Sequence, residues 1–113
     1  MNYRIATTED FERNFKRLFK KYRSLKNDLA DFVKDLRKNP TKGKDLGNNT
    51  RKIRMAITSK NKGKSGGARI ITYHIFIDEV NTKIYLLTIY DKNEREGISE
   101  QEIKDLKKIN NLD

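Results

Sequence analysis

The sequence predicts an α+β fold, in which a helical hairpin packs on a small, mainly antiparallel sheet and the elements follow the order β-α-α-β-β-β-α. Three observations lead to this prediction. An apolar stripe with helical spacing occupies the first third of the chain, three β-rich segments follow it, and a helix-capping signal precedes the last apolar residues. The length of 113 residues is that of one domain, which we expect to span positions 1–113.

The first part of the chain is expected to form a strand and a helical region. Residues 2–6, NYRIA, have the composition of a short strand. Thr7 and Thr8 offer N-cap oxygens directly before two acids, Glu9 and Asp10, which suit the first turn of a helix. Apolar side chains then recur at alternating steps of four and three residues, the period of a helix, at Phe11, Phe15, Leu18, Tyr22, Leu25, Leu29, Phe32 and Leu36.

This apolar stripe fits either one long helix or two antiparallel helices joined by a tight turn. Ser24 can cap a second helix that begins near Leu25, and Asn39-Pro40 ends the pattern. A single helix of about 30 residues would be unusual in a small domain, so we favour the hairpin. A long helix that pairs in a coiled-coil dimer is the alternative.

Beyond a predicted loop at residues 41–50, the apolar period changes from helical to alternating. In residues 52–57 every second side chain is apolar, which predicts a half-buried strand with Lys52 and Arg54 on its open face.

The last third of the chain predicts a strand hairpin and a helix. Two β-rich segments, 68–77 and 83–90, are separated by a five-residue turn and should pair with each other. Residues 99–102 read S-E-Q-E, which is a capping box and predicts a last short helix.

The formal charge of the chain is +10, and its distribution points to a binding site. Residues 1–45 mix both signs, whereas residues 46–77 contain seven cations and no acid. Such a block favours a polyanionic partner: nucleic acid, an anionic membrane surface or an acidic protein. A lysine-rich surface that serves only solubility is the alternative. The seven cations are Arg51, Lys52, Arg54, Lys60, Lys62, Lys64 and Arg69.

The composition excludes several classes of site. The sequence has no cysteine, which excludes disulfides and thiol chemistry, and its single histidine, His74, argues against a zinc site. We therefore expect neither a metal nor another cofactor. No apolar run approaches the ~20 residues that span a membrane, and the N-terminal residues lack a signal sequence. The expectation is a cytoplasmic protein without a membrane partner.

The stretch SKNKGKSGGAR, residues 59–69, contains the last three letters of a phosphate-binding loop in Gly63-Lys64-Ser65. That motif also requires a glycine where this chain has Thr58, and a following helix where a strand is predicted. We therefore expect no nucleotide cofactor here. Gly66-Gly67 is expected to supply the positive φ of a strand connection.

A nucleic-acid surface fits the basic stretch better. Lys52 and Arg54 would project from one strand face, and Arg69 begins the adjacent strand. Three lysines would lie on a mobile loop that could follow an RNA backbone, namely Lys60, Lys62 and Lys64.

Three tyrosines and one histidine in the predicted strands could serve either the core or the site. Tyr73 and Tyr85 are expected to pack in the core, and Tyr90, at a strand end, is open to either role. His74 could act as a general base, but its apolar neighbours favour a buried structural role.

The chain resembles the RelE/HigB family of toxins from type II toxin–antitoxin modules along nearly its whole length. The resemblance rests on three features in this order: Lys52-Ile53-Arg54, Gly67-Ala68-Arg69 before an apolar strand, and Tyr90-Asp91-Lys92 before a charged turn. The predicted element order agrees with a RelE-like fold.

The resemblance implies an mRNA endoribonuclease that acts in the ribosomal A site by attack of a 2′-OH on the adjacent phosphate. It also implies a cognate antitoxin that blocks the toxin, so the expected partners are antitoxin, ribosome and mRNA. By position, Lys52 would be a proton acceptor or phosphate clamp, Arg54 a phosphate clamp and Arg69 a transition-state stabiliser. Lys92 and Arg95 match basic positions after the last strand.

Two departures from the RelE pattern keep other functions open. The chain has Asn93 where the pattern has an arginine, and Ser99 where it has a tyrosine near the last helix. Tyr90 could replace that tyrosine. The alternatives are a ParE-like DNA gyrase inhibitor, which shares the fold without the RNase residues, and a non-catalytic basic RNA-binding module.

Overall fold

A computed structural model describes residues 2–61 and 63–112, and these residues contain three α-helices and one five-stranded sheet. The predicted α+β class, the helical hairpin and the order of the helices and longer strands are confirmed. The elements are β1 Asn2–Thr7, α1 Glu9–Lys21, α2 Leu25–Lys38, β2 Lys44–Gly47, β3 Thr50–Met55, a 3-10 turn Thr58–Lys60, β4 Ala68–Phe76, β5 Asn81–Asp91 and α3 Glu100–Ile109.

Strand β2 lies inside the segment that was predicted to be a loop, so the prediction for residues 41–50 is wrong in part. The strand pairs antiparallel with β3 through a two-residue turn, Asn48-Asn49, in which both residues have positive φ, 51° and 60°. Asparagine tolerates that conformation, and such turns match the twist of paired strands. The exposed side chains of β2 show no alternation, because pairing with β3 rather than burial holds this strand.

The sheet has the strand order β1-β5-β4-β3-β2, with β1 parallel to β5 and the other pairs antiparallel. The α1–α2 hairpin covers one face of the sheet and α3 covers the other. The larger apolar cluster, on the hairpin face, includes Phe11, Leu18, Leu25, Phe32, Leu36, Ile53, Ile70, Ile84, Leu86 and Ile89. The smaller cluster, under α3, contains Ile71, Leu87, Tyr90 and Ile103.

The helix starts follow the predicted caps with one difference. The hydroxyl of Thr8 accepts the Phe11 amide at 3.0 Å, and Ser99 forms the capping box of α3 with Glu102. Ser24 precedes α2, but its hydroxyl donates to Asp28 at 2.8 Å instead of capping a backbone amide. Within residues 2–61 and 63–112, no helix has the length and apolar content needed to cross a membrane.

An irregularity in the β4–β5 pairing determines which side chains of β5 reach each face of the sheet. Ile71 lies opposite Thr88 and Thr72 lies opposite Leu86, so β5 has one extra residue, Leu87. This β-bulge reverses the alternation beyond it. As a result Tyr90 faces α3, whereas a regular strand would turn it toward the helical hairpin.

Candidate active site

A strongly basic cleft of about 590 Å³ is formed by β2, β3, the start of β4 and the turn after β5. The residues that line it include seven cations and no acid. Several like charges around one concave surface attract and concentrate an anionic ligand. The cleft is lined by Lys42, Gly43, Lys44, Lys52, Ile53, Arg54, Lys64, Arg69 and Lys92.

Three of the predicted site residues form a row across the sheet. Arg54 on β3 lies opposite Arg69 on β4, and Arg69 lies opposite Tyr90 on β5. Lys52 is two residues from Arg54 along β3 and therefore shares its face. The register thus brings four side chains together that are up to 38 positions apart in sequence (Lys52 to Tyr90).

Lys52 is a half-buried lysine surrounded by other cations. Burial lowers the pKa of its ammonium, and the neighbouring charges of Lys44, Lys92, Arg69 and Arg54 lower it further. Its side chain makes no hydrogen bond or ion pair with another residue that the structure describes. Lys52 is therefore more readily converted to a neutral amine than an exposed lysine, and a neutral amine can accept a proton.

Arg54 and Lys64 are two of the exposed cations of the cleft. Neither side chain is paired with any residue of the described chain, and both also line an adjoining cavity of about 360 Å³ against α2. Unpaired, exposed cations can bind phosphate without first breaking an internal contact.

Arg69 has a different environment, because it is buried and holds the backbone of the preceding loop. Its guanidinium donates to the carbonyl oxygens of Lys64 at 3.2 Å and Ser65 at 3.1 Å. Burial and the charge of Arg54 lower the pKa of Arg69, although a guanidinium remains protonated. Arg69 therefore lines the cleft and also fixes the loop at its edge.

Tyr90 lies beside Arg69 but beneath the surface. Its side chain is buried, and its hydroxyl has no hydrogen-bond partner among the described residues. Burial raises the pKa of Tyr90, while the charges of Arg69 and Arg95 oppose that rise. A buried hydroxyl without a hydrogen-bond partner costs free energy in the folded state.

The two cations of the turn after β5 differ in their contacts. Lys92 lines the cleft, and its ammonium donates to the carbonyl of Glu96 at 2.8 Å. Arg95 does not line the cleft: its guanidinium lies over the Tyr90 ring at 5.5 Å and bonds both carboxylate oxygens of Glu102 at 2.8 Å. Arg95 therefore covers the Tyr90 ring and links the turn after β5 to α3.

The expectation that Lys60 lies on an exposed, RNA-binding loop is wrong. Its side chain is 6% exposed, and its ammonium forms an ion pair of 2.6 Å with the buried carboxylate of Asp91. The same ammonium donates to the carbonyl of Gly66 at 2.8 Å. Of the three loop lysines, Lys64 reaches the cleft, and Lys62 lies outside the described residues.

Asp91 belongs to the Tyr90-Asp91-Lys92 feature of the family resemblance, but the sequence analysis assigned it no role. It is fully buried and accepts hydrogen bonds from Lys60, from the Tyr22 hydroxyl at 2.6 Å and from the Asn93 amide at 3.0 Å. Burial raises the pKa of Asp91, but the hydrogen bonds from Lys60 and Tyr22 outweigh burial and lower it overall. The signal in the sequence was a lone acid at the end of an apolar strand.

Other predictions for this region have mixed outcomes. His74 is buried as expected, and burial lowers its pKa. Tyr73 and Tyr85 pack against the cluster under α3, also as expected.

The prediction for Gly67 is wrong, because this residue does not have positive φ. A glycine is required there for another reason: a Cβ would lie 2.3 Å from the Met55 carbonyl oxygen. In the described chain, no cluster of three acidic or histidine side chains could hold a metal ion.

The chain was also compared with known protein families. Residues 10–112 match the family described as the RelE toxin of the RelE/RelB toxin–antitoxin system. The chain belongs to the RelE toxin family. The protein is thus a toxin of a toxin–antitoxin system, and membership of the RelE family implies an antitoxin as its partner.

Proposed function

We propose that this RelE-family toxin is a ribosome-dependent endoribonuclease that cleaves mRNA by 2′-OH attack and thereby stops translation. The observation that carries the proposal is the cleft lined by seven cations and no acid, in which Lys52, Arg54 and Arg69 lie on adjacent strands of one sheet face. RNA cleavage of this kind needs a proton acceptor, a proton donor and cations for the charge on the phosphorane.

Lys52 is the proposed proton acceptor. Its lowered pKa increases the fraction of neutral amine that is present near neutral pH. The neutral amine takes the proton of the 2′-OH as that oxygen attacks the adjacent phosphorus. The resulting ammonium then stabilises the negative charge that develops on the phosphorane oxygens.

Arg54, Arg69 and Lys92 are the proposed stabilisers of the transition state. Arg69 uses only part of its guanidinium to hold the loop, since its five N–H groups exceed the bonds it makes to carbonyls. Arg54 is free to move with the substrate. Lys64 and Lys44, at the rim of the cleft, would contact the neighbouring phosphates.

Tyr90 is the proposed source of the proton for the leaving 5′ oxygen. Ser99, which stands where the RelE pattern has a tyrosine, accepts the Glu102 amide at 3.1 Å in the capping box of α3. Its hydroxyl is thus committed to the helix start, whereas the Tyr90 hydroxyl is unpaired beside Arg69. Access to Tyr90 requires Arg95 to move away from its ring.

The proposal is tested by primer extension on mRNA incubated with the purified toxin, with and without ribosomes, in a reconstituted translation system. Cuts within codons that require ribosomes are expected. Equal cleavage in the absence of ribosomes would contradict the ribosome-dependent mechanism. No cuts by a folded preparation would contradict the nuclease, and inhibition of DNA supercoiling would then support the gyrase alternative.

A further inference from the structure

The buried Lys60–Asp91 ion pair lies directly behind the cleft, on the hairpin face of the sheet. Neither residue contacts the space where a substrate would bind, and the proposed mechanism uses neither. Two charges in the interior are costly to desolvate, and a pair of apolar side chains commonly serves folding as well. The position of this pair therefore calls for a second explanation.

The ion pair connects the two segments that carry the cleft cations. Through Lys60 it bonds the Gly66 carbonyl, three residues before Arg69. Through Asp91 it bonds the Asn93 amide, in the turn that carries Lys92. The two segments are also joined directly, because the Lys92 amide donates to the Gly67 carbonyl at 3.1 Å.

The loop before β4 is thus fixed from both faces of the sheet. On the α3 face, Arg69 holds the carbonyls of Lys64 and Ser65. On the hairpin face, Lys60 holds the next carbonyl, that of Gly66, while Tyr22 supports the pair from the end of α1. Three successive carbonyls are therefore each bonded by a buried cation.

We propose that Lys60 and Asp91 are positioning residues, which set the loop and the turn so that Lys64, Arg69 and Lys92 converge on the reacting phosphate. This inference rests on the proposed nuclease function. Positioning is a large contribution to such a reaction, since a displacement of about 1 Å can cost about 100-fold in rate. An apolar pair would fill the same space but could not bond Gly66 or Asn93.

The test replaces the pair by apolar residues, Lys60→Met with Asp91→Leu, and compares unfolding, cleavage and amide hydrogen exchange. We expect a cooperative unfolding transition, a rate at saturating ribosomes that is lowered about 10- to 100-fold, and little change in the ribosome concentration at half-maximal rate. The Lys92 and Asn93 amides should lose protection. The control pair, Glu79→Gln with Lys83→Gln, removes one acid and one base far from the cleft and should change none of these quantities.

A folded double variant with wild-type cleavage and wild-type exchange would overturn the inference. Should the double variant not unfold cooperatively, Tyr22→Phe decides, because it removes one bond to Asp91 and leaves the pair intact. It should lower cleavage about threefold and expose the Asn93 amide; no change in either would overturn the inference. Hydrogen exchange can be measured whether or not the protein cleaves RNA. It therefore tests the positioning role of the pair even if the wild-type protein proves not to be a nuclease.

Discussion

Arg69 and Tyr90 lie directly opposite each other on β4 and β5, and they share a sheet face because β5 carries the extra residue Leu87. The bulge brings an unpaired phenol next to a buried guanidinium. It also turns Asp91 toward the helical hairpin, where Tyr22 and Lys60 bond it. One inserted residue thus organises both the cleft and the contacts behind it.

Arg69→Lys tests whether charge alone is sufficient at this position. A lysine keeps the charge but cannot bond Lys64 and Ser65 in the same forked geometry. We expect mRNA cleavage to fall about 100-fold or more and growth arrest to be lost, while the protein stays folded. Arg69→Ala should be at least as severe.

The control for Arg69 is Arg37→Lys, which alters an arginine that bonds the Tyr3 carbonyl far from the cleft. It should leave cleavage unchanged. Growth arrest by Arg69→Ala at wild-type level and equal expression would refute the assignment of Arg69.

Tyr90→Phe separates catalysis from stability. Removing a buried hydroxyl without a partner should leave the free energy of unfolding unchanged or raise it by about 1 kcal/mol. Cleavage should fall about 100-fold if this hydroxyl supplies the proton to the leaving oxygen. Denaturant unfolding and single-turnover cleavage measure the two effects, with Tyr85→Phe as the matched control. A variant that cleaves at the wild-type rate would exclude Tyr90 as the proton donor.

The pH dependence of cleavage should follow Lys52. The active form is the neutral amine, so the rate should rise with pH and level off near the pKa of Lys52, below the value for an ordinary lysine. Lys44→Gln removes a positive neighbour, which should raise the pKa of Lys52 and lower the rate at neutral pH. Lys52→Arg should lose activity across this range. A pH profile unaffected by Lys44→Gln would contradict the role of Lys52.

The same substitution, lysine to glutamine, should affect ribosome binding at Lys64 but protein stability at Lys60. Lys64→Gln should weaken ribosome binding and reduce the slope of log affinity against log salt by about 0.7–0.9, with unchanged stability. Lys60→Gln leaves the buried Asp91 carboxylate without its counter-ion and should destabilise the fold by about 3–5 kcal/mol. Binding across a salt series and urea unfolding give the two numbers. Equal effects of the two variants would show that Lys60 is not buried in solution.

Stability should decrease toward acid in two steps. The folded-state pKa of His74 is below its unfolded value of about 6.5, so its contribution is present above pH 6.5 and is lost as pH falls through the folded pKa. The lowered pKa values of Asp91 and Glu102 give a second loss below about pH 4. Urea unfolding between pH 3 and pH 8 measures both steps. His74→Phe should remove the upper step alone; an unchanged profile would contradict its assignment.

Local patterns in the sequence predicted much of the fold. The four–three spacing located both helices, and the alternation beyond position 51 placed Lys52 and Arg54 on one face. The site depends on pairings that local patterns do not contain. The burial of Lys60 requires Asp91, 31 positions later, and the orientation of Tyr90 requires a bulge that no residue type marks. Strand β2 was not predicted because its side chains show no strand pattern; it is a strand because its backbone pairs with β3.

The most direct test of the central claim is single-turnover cleavage of mRNA on programmed ribosomes, with analysis of the fragment ends, for the wild-type toxin and Lys52→Met. Attack by the 2′-OH predicts a 2′,3′-cyclic phosphate upstream and a 5′-OH downstream of each cut, with a strongly reduced rate for the variant. A 5′-phosphate on the downstream fragment, or equal rates for the two proteins, would contradict the claim.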